Sequence, residues 1–291
     1  MHASPPEPQR LEIRAGDGQP LVAHLFAAQG PEKGRIVVAG ATAVPQRFYR
    51  PFASFAAERG YSTLTLDYRG IGLSRPESLR GFEMNYLDWA RLDLPAAIDA
   101  LAAPGIPLFY VGHSYGGHAF GLLPHPERVS RVYTFGTGAG WVGWMPPRER
   151  VRVLALWYVI GPLLVRTHGY LAWKRFGLGE DLPLGVYREW KRWCRHPRYF
   201  FDVPELRDEV TRLFDRVRTP IVAANALDDL WALPASRDAF MAGYRHAALR
   251  TVDIDPRARG IGPIGHMGYF QRRAQPLWED VLAWFGEETG R

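Results

Sequence analysis

The chain has 291 residues but only one cysteine, Cys194, so it can form no internal disulfide. That fits a reducing compartment, and a cytoplasmic location is the expectation. Within Trp190-Lys191-Arg192-Trp193-Cys194-Arg195 the thiol reads as a packed group rather than a reactive one. Lysine is scarce, and the net charge of +6 comes with no zinc-finger spacing, no RNA-binding aromatic motif and no long basic block. Nucleic acid is therefore not an expected partner. No His/Cys/Asp cluster has metal-ligand spacing, and no loop carries the Gly-Lys-Ser/Thr ending or the dinucleotide spacing, so neither metal nor cofactor is expected. The longest apolar run, Val153 to Val165, is broken by Gly161-Pro162 and is too short for an ordinary membrane span. Packing within the cap is the expected account of that run, with a dip into lipid as the weaker alternative, and no stable membrane insertion is expected. The opening Met1-His2-Ala3-Ser4-Pro5-Pro6-Glu7-Pro8 lacks the basic head and apolar stretch of a signal peptide. A small molecule is the expected partner, with a homodimer left open.

What is abundant is apolar residues, at 47%, enough for a sizeable core and against disorder. Residues 1–10 read as a loose tail. Leu11–Ile13 and Leu21–Phe26 flank Asp17-Gly18-Gln19-Pro20, the pattern of an antiparallel hairpin. Short apolar runs follow at Arg35–Gly40, Ser62–Asp67, Leu108–Gly112, Arg131–Gly136, Pro220–Ala224 and Leu249–Ile254. Such unbroken runs suit strands buried on both faces. Helical patterns at Phe48–Arg59, closed by Gly60, and at Tyr86–Leu101 lie between them. The alternation predicts an α/β fold: an eight-stranded, mostly parallel sheet flanked by helices.

Between residues 139 and 217 no strand pattern appears. Six of the ten tryptophans lie there (Trp141, Trp144, Trp157, Trp173, Trp190, Trp193), with 14 Lys/Arg against 9 Asp/Glu, a net +5. This predicts a helical cap, 139–217, inserted into a core formed by 10–138 and 218–288. Ligands of open α/β sheets bind at the strands' carboxyl ends, which is where such a cap belongs.

Gly112-His113-Ser114-Tyr115-Gly116 follows the third parallel-type strand. A serine on a tight strand-to-helix turn needs small neighbours two residues either side, so Ser114 reads as a nucleophile. A serine hydroxyl needs a base, and the base an orienting acid, in the chain order Ser, Asp/Glu, His. Asp228 and Asp229 follow the strand ending near Ala224; Asp229 is preferred because it lies further out on the loop, with Asp228 as the alternative. His266, in Gly262-Pro263-Ile264-Gly265-His266-Met267-Gly268, follows the last strand and reads as the base. His246 reads as a surface residue, and His113 and His118 as packing beside the turn. Oxyanion donors are expected from the backbone N–H of Tyr115 and of Ala41, or Thr42. Asp67-Tyr68-Arg69-Gly70-Ile71-Gly72-Leu73-Ser74 reads as a structural turn.

Four stretches carry a family likeness: Asp67-Tyr68-Arg69-Gly70-Ile71-Gly72, Gly112-His113-Ser114-Tyr115-Gly116-Gly117, Asp228-Asp229 and Gly265-His266-Met267-Gly268-Tyr269-Phe270. Over about residues 10–288 the chain resembles the α/β-hydrolase superfamily, and within it the serine-aminopeptidase-like bacterial predicted alpha/beta hydrolases. The resemblance implies the Ser114–His266–Asp229 triad. Two features depart from the pattern: Ala39-Gly40 stands where many relatives have His-Gly, and the proline that follows the acid is displaced to Pro234. The first leaves the second oxyanion donor open, and the second keeps Asp228 as an alternative.

The expected activity is an esterase-like serine hydrolase, acting through an acyl-enzyme on the ester, thioester or amide bond of a small apolar substrate. Trp141, Trp144 and Trp231 are the expected substrate contacts. The cap's basic excess is compatible with a carboxylate on the substrate, although a solvated face accounts for it equally well. An acyltransferase using the same triad and a non-catalytic ligand-binding protein are the alternatives.

Overall fold

A computed structural model describes residues 7–177 and 179–287. Most of the expected tail, residues 1–6, lies outside the described residues, as does the last residue of the expected core, 288. Eight strands form one sheet: β1 (Gln9–Arg14), β2 (Pro20–Phe26), β3 (Gly34–Ala39), β4 (Tyr61–Leu66), β5 (Leu108–His113), β6 (Arg131–Phe135), β7 (Ile221–Ala226) and β8 (Leu249–Ile254). Their order is β1-β2-β4-β3-β5-β6-β7-β8. The opening hairpin is antiparallel and β2 joins β4 antiparallel; every later pairing is parallel.

Alternation along the strands supplies two cores, one on each face of the sheet. Val37, Leu64, Tyr110, Val132 and Ala223 point to one side. Ile36, Val38, Phe109, Val111, Tyr133 and Val222 point to the other. The strand β8 departs from the expectation of burial on both faces. Its residues Leu-Arg-Thr-Val-Asp-Ile are half polar, it closes the sheet as an edge, and only Ile254 is fully buried.

The helices are α1 (Arg50–Ala57), α2 (Leu94–Leu101), α3 (Tyr115–Phe120), α4 (Pro147–Ala155), α5 (Gly161–His168), α6 (Leu184–Trp193), α7 (Pro204–Phe214), α8 (Pro234–Met241) and α9 (Gln275–Gly286). Two of them start late, for one reason. The turns Trp89–Asp93 and Leu156–Ile160 are π turns, closed by Leu94 N–H to Trp89 and by Gly161 N–H to Leu156. In both, the next residue but one is proline, Pro95 and Pro162, whose ring and missing N–H disturb the regular ladder one turn back.

The segment between β6 and β7 holds α4 to α7 and, among the described residues, no strand, only an isolated antiparallel bridge from Leu171 to Leu182. Its Trp157, Trp173 and Trp193 join the Val37 side of the core. Packing does not account for the whole apolar run at Val153–Val165: Tyr158, Val159, Ile160 and Leu163 are exposed. No described helix is long and apolar enough to cross a membrane.

Candidate active site

Parallel strands end at one edge of the sheet, and the loops after β3, β5, β7 and β8 meet there. After β5 the chain turns sharply: Ser114 has φ 51° and ψ −110°, a strained conformation for a non-glycine residue. The turn fits only because its neighbours lack side chains. A Cβ on Gly116 would lie 2.0 Å from the Ala39 carbonyl oxygen, and one on Gly112 would lie 2.7 Å from the Gly117 nitrogen. The Ser114 N–H donates to the Phe135 carbonyl at 2.9 Å, and Thr137 Oγ1 donates to the Ser114 carbonyl at 3.1 Å.

The structure brings Ser114, His266 and Asp229 together. Ser114 Oγ is 3.0 Å from His266 Nε2, and His266 Nδ1 is 3.0 and 2.9 Å from the two oxygens of Asp229. The Asp229 carboxylate is fully buried and also accepts from the N–H groups of Trp231 and Ala232 at 3.1 Å and from Tyr269 Oη at 2.9 Å. Burial pushes its carboxyl up, but His266 and these donors outweigh that and hold it below the ordinary carboxylate value. Asp228 does something else. Its Oδ2 accepts the Ile264 N–H at 2.8 Å, fastening the loop that carries His266. Asn225 Nδ2 fastens the acid loop in turn, donating to the carbonyls of Thr137 and Ala232 at 3.1 and 2.6 Å.

The expectation for Ala41 is corrected. Its N–H donates to Tyr49 Oη at 2.7 Å and is not free for a substrate oxygen. The Tyr49 hydroxyl lies 3.0 Å from His113 Nδ1, and His113 Nε2 lies 2.9 Å from the His266 carbonyl. A carbonyl only accepts, so His113 carries its proton on Nε2 and takes one hydrogen bond from Tyr49 on Nδ1. Burial, with His266 adding to it, pushes the His113 pKa down to about 3, so the ring is neutral. The Thr42 N–H sits one residue further along the loop, and Thr42 lines the cavity beside Ser114. Tyr115 is the first residue of α3, so its N–H has no partner inside the helix.

A cavity of about 690 Å³ opens over Ser114 and His266. Its walls are mainly apolar: Val44, Phe48, Leu156, Trp173, Trp190 and Trp231 among them. Trp231 lines it, with its ring 6.3 Å from that of His266 and its Nε1 donating to Glu149 at 3.0 Å. Trp141 and Trp144 do not line it. They pack edge to face on each other, and Trp144 Nε1 donates to the Pro197 carbonyl, which turns the pair away from the cavity. Trp173 and Trp190, stacked edge to face at 5.6 Å, take that place.

Other residues settle into scaffolding. Asp67 is buried and accepts from the Gln46 and Leu73 N–H groups at 2.7 and 2.9 Å. Arg69 bridges Asp17 and Asp93. Cys194 is buried and its thiol is pushed up by that burial. His118 donates from Nε2 to the Gly138 carbonyl at 2.8 Å, and His246 is exposed in a turn. Sequence reasoning missed Tyr49 and Tyr269, because a hydroxyl's partner across a fold leaves no local pattern. The placing of Tyr269 three residues after His266 was the one available signal.

The alpha/beta hydrolase family matches residues 36–279, and the chain belongs to that family. Among solved structures it is similar to a soluble variant of monoglyceride lipase from Saccharomyces cerevisiae, at 16% identity and TM-score 0.67, covering 98% of this chain and 97% of that one. It is similar to an esterase from Exiguobacterium antarcticum, at 16% identity and TM-score 0.63, covering 96% of this chain and 100% of that one. It is also similar to the Pyrococcus furiosus esterase Pf2001, at 13% identity and TM-score 0.61, covering 100% and 96%. At these identities the likeness is one of fold. No curated protein matches the sequence.

Proposed function

We propose that the protein is a serine hydrolase that cleaves an ester-like bond of a small apolar substrate through an acyl-enzyme. The observation that carries the reading is the continuous line of hydrogen bonds from Ser114 Oγ through His266 to the buried Asp229 carboxylate. Ser114 Oγ attacks the substrate carbonyl and passes its proton to His266 Nε2, while Asp229 holds Nδ1–H and stabilises the imidazolium. The oxyanion is met by the N–H of Tyr115 and, in place of Ala41, by the N–H of Thr42. His266 then gives its proton to the leaving alcohol, thiol or amine. A water attacks the acyl-enzyme, again losing its proton to His266, and the acid leaves. The segment 139–217 acts as a cap whose Trp173 and Trp190 join Trp231 around an apolar acyl group. The esterases and the lipase among the similar folds support the choice of an ester over other bonds.

Turnover of p-nitrophenyl esters of graded chain length tests this. The wild-type protein is expected to release nitrophenol in successive turnovers, with a rate at least about 10⁴-fold lower in Ser114→Ala. Equal rates in the two proteins would refute it.

A further inference from the structure

One face of the insertion is left uncovered. Helices α4 and α5 are joined through the π turn into a single rod from Pro147 to His168. Val153, Leu156, Trp157, Gly161 and Leu164 point inward and are buried. Val151, Val159 and Leu163 point outward and are 67%, 65% and 61% exposed, with Leu154 and Tyr158 beside them. The extra residue of the π turn shifts the register by about 100°, so that Gly161 falls on the inner face while Leu163 stays on the outer one. Gly161 is needed there: a Cβ would lie 2.6 Å from Tyr187 Oη. The result is an unbroken outward apolar stripe along the rod.

The stripe adjoins the cavity. Ile160 is exposed on the rod and also lines the cavity, and the exposed Phe176 precedes Gly177, another lining residue. The charge along the rod and the turn after it is predominantly basic. From Pro147 to Gly177 the chain carries Arg148, Arg150, Arg152, Arg166, Lys174 and Arg175, against the single acid Glu149. Glu149 is mostly buried and accepts from Trp231. Arg148 and Arg166 make no ion pair among the described residues, and the side chain of Arg175 reaches only His168.

We propose that this face docks on an anionic lipid surface. The side chains of Val151, Leu154, Tyr158, Val159 and Leu163 enter the boundary between headgroups and acyl chains. The guanidinium groups of Arg148, Arg166 and Arg175 lie at the level of the lipid phosphates, and the cavity mouth faces the interface. An apolar stripe flanked by unpaired basic groups matches such a surface, whereas a second copy of the same face would oppose like charges. Docking needs no catalysis, so it stands or falls apart from the proposed hydrolysis.

Co-sedimentation with phosphatidylcholine vesicles, with and without phosphatidylglycerol, tests it. The full chain and its Ser114→Ala variant are expected to bind the mixed vesicles alike, and to bind pure phosphatidylcholine far less. The triple variant Val151→Asp/Val159→Asp/Leu163→Asp is expected to lose at least about tenfold in binding. Arg148→Glu/Arg166→Glu and high salt are each expected to weaken it. Both variants should keep the wild-type circular dichroism spectrum and rate on a short water-soluble ester. No binding by the wild type, or equal binding by the triple variant, would overturn the proposal. So would a wild-type dimer that the triple variant converts to monomer without any vesicle binding, which would assign the face to self-association.

Discussion

His113 Nε2 donates to the main-chain carbonyl of His266 at 2.9 Å, so the residue before Ser114 holds the loop that carries His266. The same imidazole receives the Tyr49 hydroxyl, which receives the Ala41 N–H. The loop after β3 and the loop after β8 are thereby tied through one neutral ring. His113 is a positioning residue, and His113→Phe is expected to lower kcat by about 10- to 100-fold with little change in KM. Tyr49→Phe should give a smaller fall. Steady-state kinetics on a p-nitrophenyl ester check this; a rise in KM with kcat unchanged would contradict it.

The two adjacent acids separate cleanly. Asp229→Asn is expected to lower kcat by about 10⁴-fold, because the amide no longer fixes the imidazole tautomer. Asp228→Asn keeps an acceptor for the Ile264 N–H and is expected to destabilise by about 1 kcal/mol, with activity within tenfold of wild type. Parallel rate and urea-denaturation measurements distinguish the two. Similar kinetic losses in both variants would refute the assignment.

The tryptophans give a specificity prediction. Trp190→Ala enlarges the apolar end of the cavity and is expected to raise KM for long-chain esters several-fold more than for acetate. Trp141→Ala is expected to leave chain-length preference unchanged, since that ring does not line the cavity. A KM series across chain lengths reads both outcomes.

Acid stability follows from two buried neutral histidines. Burial pushes the pKa of His113, and likewise of His118, from 6.5 down to about 3. Above pH 6.5 neither carries a proton in the folded or the unfolded chain. As pH falls from 6.5 toward 3, the unfolded chain takes up protons that the folded one refuses. Each histidine then removes about 1.4 kcal/mol of stability per pH unit. In His118→Gln the loss between pH 7 and pH 5 should be smaller by about 2 kcal/mol. Urea denaturation at the two pH values checks this, and identical losses in both proteins would contradict it.

Much of this was legible in the residues. All eight strands stand where the hairpin pattern and the short apolar runs marked them, and the central strands are buried on both faces as such runs require, whereas the edge strand β8 is not. Asp229, His266 and Ser114 stand in the loops the runs define. What was not legible depends on distant contact. The N–H of Ala41 is taken by a hydroxyl eight residues along, which no spacing rule announces. Trp173, just before the turn at Lys174–Phe176, and Trp190, on α6, line the cavity in place of Trp141 and Trp144, and tryptophan content says nothing about which of these rings reaches it. The helix from Pro147 to His168 changes its inward face at the π turn, so a fixed 3.6-residue period misjudges which of its apolar residues are covered.

In the proposed mechanism Ser114 is a nucleophile activated by His266. Mass spectrometry after a timed reaction with a fluorophosphonate tests it most directly. The prediction is one adduct on Ser114, none in Ser114→Ala, and a labelling rate at least about 100-fold lower in His266→Ala. Labelling of Ser114 at an undiminished rate in His266→Ala, or no labelling of the wild-type protein, would contradict the account.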